Sequence, residues 1–170
     1  MTYATADHLL NGFGAGELAE VAVPDDRTPI TAELLRLTIA ADPRDDFSDE
    51  ECATADLAVA RIQTALEESG RLLDSYLATR YPLPLSETVI AASPLPRMCS
   101  VLALTLLYDD QMPKAVAQRQ QQVLDWLRDL AAGRVELAPV VAQTGRVANG
   151  PSYSAGRRVF DRDTLREFMA

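Results

Sequence analysis

The hydrophobic positions along this chain recur mostly at helical spacing, in segments separated by proline, glycine and acidic turns. The strongest segment runs from about residue 49 to 79. Ala55, Ala58, Ile62, Ala65, Leu66, Leu72, Leu73, Tyr76 and Leu77 repeat at helical steps, while Asp56, Arg61, Glu67, Glu68 and Arg71 fall mostly on other faces. Ser48 followed three residues later by Glu51 is a capping box, in which hydroxyl and carboxylate each satisfy the other residue's orphan amide. One helix of roughly 45 Å is predicted. Gly70 lies inside it, costs about 1 kcal/mol relative to alanine and marks a place for a kink. Pro82 and Pro84 end the helix and enforce an extended stretch.

Upstream, Thr5 is placed to cap a short helix that Gly12 or Gly14 stops, and a second short helix spans 15–21. Thr31 caps a third helix through about Ala40, and the polar residues 42–46 read as a loop. Downstream, Pro94 and Pro96 open a helix over 95–109, where a missing N–H is harmless. Its stretch 98–108 is apolar nearly all round, so it is predicted to be the central and most buried helix. An amphipathic helix follows from Pro113 to about Ala132, with Val116, Val123, Leu124, Leu127, Leu130 and Ala131 on its apolar face and Gly133 as its stop. The expected fold is all-α: an antiparallel bundle of the helices at 49–79, 95–109 and 113–132, with short N-terminal helices packed on one end. Its expected core is Leu57, Ile62, Leu66, Leu73, Leu77, Leu102, Leu106, Val123, Leu127 and Leu130. On that reading Leu106→Ala costs about 2–5 kcal/mol.

The pattern changes after Gly133. Residues 1–133 read as a helical body and 134–170 as an extended C-terminal arm, with a short strand at 157–160, able to pair with 135–137, and a last helix capped by Asp161. The arm is too poor in apolar residues to form its own core, yet Val159, Phe160, Leu165, Phe168 and Met169 are wasted in water. Each exposed phenylalanine forgoes roughly 1.5–3 kcal/mol of burial. These residues must dock on the bundle itself or on another subunit. The candidate interface is therefore Arg157, Arg158, Phe160, Arg162, Leu165, Arg166 and Phe168, arginines rimming an apolar centre.

The chain of 170 residues is 48% hydrophobic, 24% charged and 6% aromatic, which suits one helical domain plus an arm. Its net charge is −9, and residues 1–52, with 12 acids against 3 bases, account for all of it. So acidic a chain is a poor coat for DNA, and no sequence-specific nucleic-acid partner is expected. The acidic first third is expected on solvent, or facing a channel, and not as a metal site. Of the 16 bases only Lys114 is a lysine, which reads either as arginine chosen for interfaces or as compositional bias. Cys52 and Cys99 read as small core hydrophobes in a reducing cytoplasm, with no secretory leader or membrane span in view.

Candidate chemistry is sparse. The single histidine, His8, has no marked nucleophile or carboxylate partner and reads as a surface or packing residue. Asp109 and Asp110 sit between two helices as solvated loop residues, and the glycines at 12, 14 and 16 follow a helix rather than a strand, with no lysine after them. No catalytic, cofactor-binding or metal residues are assigned, and the chain is expected not to be an enzyme. The run 118–122 (QRQQQ) gives a polar helix face or, alternatively, a lateral contact with a neighbouring subunit.

Four segments together resemble a known family. These are 3–14 (YATADHLLNGFG), 73–85 (LDSYLATRYPLPL), 123–133 (VLDWLRDLAAG) followed by Val135, Glu136 and Leu137, and 158–165 (RVFDRDTL). The arrangement is similar to the small helical head–tail connector (adaptor, or head-completion) proteins of Mu-like phages and prophages, apart from an acidic insertion at about 24–50. The resemblance implies a structural role: a ring beneath the portal, twelvefold where it matches portal symmetry, that joins the DNA-filled head to the tail. Its partners would be copies of itself, the portal protein and a tail or stopper protein, at the virion head–tail junction and in the bacterial cytoplasm during assembly. By that analogy the arm docks between molecules. The alternative is a small helical regulatory or protein-binding module of the cytoplasm without catalytic activity.

Overall fold

A computed structural model describes residues 2–108 and 112–137. Among these residues the structure is all-helical, in the order α1 (Ala6–Phe13), α2 (Ala15–Ala22), α3 (Ala32–Ala40), α4 (Asp49–Leu77), α5 (Glu87–Ala92), α6 (Leu95–Leu107) and α7 (Lys114–Ala131).

Local chemistry sets the helix ends. Thr5 caps α1: its amide donates to His8 Nδ1 at 3.2 Å, and its hydroxyl lies 2.9 Å from the same nitrogen. His8 thus completes a helix start. Gly14 ends α1 and begins α2 with φ 85°, a left-handed conformation that favours glycine. Thr31 Oγ1 accepts from the Leu34 amide at 3.1 Å at the start of α3. The capping box opens α4 as predicted, with Ser48 N donating to Glu51 Oε2 at 2.9 Å and Glu51 N donating to Ser48 Oγ at 3.3 Å. The helix then runs unbroken through a buried Gly70 to Leu77. The short α5, which was not predicted, lies between Pro84 and Pro94 and packs on α6 through Ile90.

α4, α6 and α7 form the antiparallel bundle. Cys99 Sγ on α6 donates to the carbonyl of Leu66 late in α4, at 3.7 Å. Leu106, at the other end of α6, lies beside Leu57 and Arg61 early in α4. Leu9, Leu18, Leu34 and Leu35 bring α1, α2 and α3 into the same core as Ile62, Leu73, Leu77, Leu104, Leu127 and Leu130.

Two expected core residues are not core. Leu57 is 43% exposed and Leu106 is 46% exposed. Leu57 sits off the stripe formed by Ala55, Ala58, Ile62, Ala65, Leu66 and Leu73, nearly opposite its centre at 100° per residue. Leu106 shares a helical stripe with Leu95, Cys99 and Leu102, but α4 presents the small Ala60, Thr64 and Ala65 beside it, together with Leu57, Arg61 and Glu68. The small side chains leave an open groove, so the loss expected for Leu106→Ala falls. The rest of α6 is buried nearly all round, as predicted.

The 73–85 string clasps the exit from α7. Leu77 is buried, and Tyr81 Oη accepts from the Leu137 amide at 3.1 Å. Arg80, one turn beyond the end of α4, lays its guanidinium where a Cβ of residue 133 would stand, 1.7 Å from Nη1. Gly133, at φ 75°, therefore meets both a backbone and a space requirement. Leu137 is itself buried at 7% exposure, so the first residues of the expected arm, 134–137, pack on the body.

Candidate interaction surfaces

The polar groups inside the body are structural stitches. The Tyr3 hydroxyl donates to Asp74 Oδ1, tying the N-terminal strip to α4. Burial and that hydrogen bond push the Tyr3 pKa up. Tyr108 donates to Glu17 Oε1 at 2.8 Å, and burial with this partner pushes its pKa to about 12. Burial pushes the Cys99 thiol to about 11, which keeps it neutral and a poor nucleophile. Among the described residues no group of histidine, cysteine or carboxylate side chains is arranged to hold a metal, and no helix is long and apolar enough to cross a membrane.

What remains is surface. The first patch is the groove between α4 and α6, of about 320 Å³, rimmed by Leu57, Leu106 and Pro24. The second is a wider cleft where α1, α6 and α7 meet. Its two adjoining parts, of about 750 and 380 Å³, share Arg97, Val101 and Arg119. Phe13, Met98 and Trp126 supply apolar lining, and His8 and Gln122 supply polar lining. Arg97 and Arg119 are exposed and have no ion-pair partner among the described residues. The neighbouring arginines differ: Arg128 pairs with Asp125 at 2.6 Å, and Arg134 pairs with Asp129.

The third patch is the turn between α3 and α4. Asp42, Asp45, Asp46 and Asp49 are exposed there. Arg44, in their midst, turns away to bond Asp56 at 2.6 Å, which raises its own pKa further. The turn is thus acidic at its surface.

The residues singled out from the sequence, Arg157, Arg158, Phe160, Arg162, Leu165, Arg166 and Phe168, lie outside the described residues, as do Asp109, Asp110 and the expected strand at 157–160. The cleft at Arg97 was not anticipated, since three separate elements build it. One signal for it was present: the 118–122 run, read as a polar face or a lateral contact, contributes Arg119 and Gln122.

The family model described as Bacteriophage Mu, Gp36 matches residues 3–153. The Mu-like prophage FluMu protein gp36 of Haemophilus influenzae is 31% identical over 111 residues, covering 65% of this chain and 77% of that protein. The span of the family match includes the segments at 3–14, 73–85 and 123–133 that carry the resemblance. This chain belongs to the Bacteriophage Mu Gp36 family, and with it to the structural and assembly proteins of Mu-like phages and prophages.

Proposed function

We propose that the protein is a non-catalytic head–tail connector, which oligomerises beneath the portal and links the DNA-filled head to the tail. The observation that carries this reading is the family match over 3–153, on a body in which Tyr3 and Tyr108 are held by hydrogen bonds to Asp74 and Glu17. A small helical unit with different unpaired surfaces on different faces suits cyclic, heterologous assembly. Its partners are then copies of itself, the portal protein and a tail or stopper protein, at the head–tail junction. The C-terminal segment contributes Phe160 and Phe168, rimmed by Arg157, Arg158, Arg162 and Arg166, to contacts with a neighbour or the portal.

Two experiments test the reading. Electron microscopy of particles carrying a tagged copy should place extra density between portal and tail; density elsewhere on the capsid rejects it. A truncation after Val140 keeps the compact unit that ends there. The shortened protein should stay helical and cooperative but fail to complete heads, and full completion by it rejects the role of the C-terminal segment.

A further inference from the structure

The body carries two opposite charged surfaces that cannot reach each other within one copy. Arg97 lies two residues before Cys99, whose thiol meets the carbonyl of Leu66. Asp49 begins α4, 17 residues earlier than Leu66. At 1.5 Å per residue that places Asp49 about 26 Å along α4 from the level of Leu66, and Asp56, which holds Arg44 of the turn, about 15 Å from it. Among the described residues Arg97 and Arg119 have no ion-pair partner, and the one arginine within the turn, Arg44, is engaged by Asp56 rather than by Asp42, Asp45, Asp46 or Asp49.

Each surface has what the other lacks. The cleft offers two exposed arginines beside Phe13, Val101, Met98 and Trp126, an apolar lining that a docked partner would cover, strengthening a charged hydrogen bond there. The turn projects four exposed carboxylates on a short loop braced by the half-buried Phe47. We propose that the cleft between α1, α6 and α7 receives the acidic α3–α4 turn of a second copy. The contact is heterologous, head to tail, so it propagates and closes into a ring when the rotation permits. It also gives a chain of net charge −9 a way to associate with itself, because the complementary ends steer encounter while the remaining surface repels. This rests on the reading of the protein as a self-assembling connector and names the surfaces used.

The test is charge exchange in the full-length protein, read by sedimentation velocity, with far-ultraviolet circular dichroism as the check on folding. One variant carries Arg97→Glu with Arg119→Glu, the other Asp45→Lys with Asp46→Lys. Each alone should associate at least tenfold more weakly than wild type. An equimolar mixture should regain wild-type association, since each reversed surface then meets its opposite. The proposal is overturned if either variant assembles as tightly as wild type, if the mixture is not rescued, or if wild type stays monomeric at every concentration. It is also overturned if the Arg97→Glu, Arg119→Glu variant loses affinity for duplex DNA while its self-association is unchanged. Assembly that persists in both variants removes only this surface; the connector role stands or falls separately, on head completion.

Discussion

Leu104 and Leu106 are two residues apart on α6, identical in chemistry, and differ in what α4 and its neighbours put beside them. Leu104 is 1% exposed and Leu106 is 46% exposed. Truncating Leu104 to alanine removes buried methyl groups and leaves a cavity, a loss of about 2–5 kcal/mol. Truncating Leu106 removes groups only about half out of water, beside a groove already open. With full burial of a leucine side chain worth about 1.5–3 kcal/mol and no closed cavity formed, the loss should stay below about 1 kcal/mol. Urea unfolding followed by circular dichroism measures both. With m near 2 kcal/mol/M, Leu104→Ala should lower the midpoint by about 1–2.5 M and Leu106→Ala by less than about 0.5 M, at unchanged m. Equal shifts would refute the reasoning, because Leu106 would then be buried in solution and the groove between α4 and α6 closed.

Other expected outcomes follow from the local chemistry. Ser48→Ala should cost about 1 kcal/mol by removing the α4 cap. The Ser48 hydrogen bonds hold the Glu51 carboxyl below its ordinary 4.5, so its contribution is present above that pH and lost as pH falls through the lower folded value. The melting difference between wild type and Glu51→Gln should shrink accordingly in acid. Tyr108, raised from 10.0 to about 12, is the opposite case: its contribution is complete below pH 10 and lost as pH rises towards 12. Tyr108→Phe should therefore flatten the fall in stability over that interval. Ser69 Oγ is buried without a hydrogen-bond partner, so Ser69→Ala should stabilise the protein by about 1 kcal/mol in the same urea titration.

The fold was legible where punctuation and period agreed. Ser48, Glu51 and Pro82 bracket α4, and the apolar run after Pro96 marks α6 as central, because caps and helix breakers act locally. α5 was missed, since six residues, Glu87–Ala92, carry too little period to stand out between prolines. Leu106 was misread for a different reason. Helical period tells which face a residue lies on, but the size of Ala60 and Thr64 across the groove decides whether that face is covered. The cleft was the least legible feature, because Phe13, Arg97 and Trp126 come from three helices and acquire a common meaning only when α7 packs antiparallel on α6. The family resemblance was legible because the 73–85 string does local structural work, ending α4 and holding the segment after α7.

The most direct test of the connector role is head completion. Host cells producing the phage without this protein should accumulate DNA-filled heads and separate tails. Adding the purified full-length protein to those heads, followed by tails, should yield joined particles that electron microscopy can count. Tailed, infectious particles forming at the normal level without the protein would contradict the account.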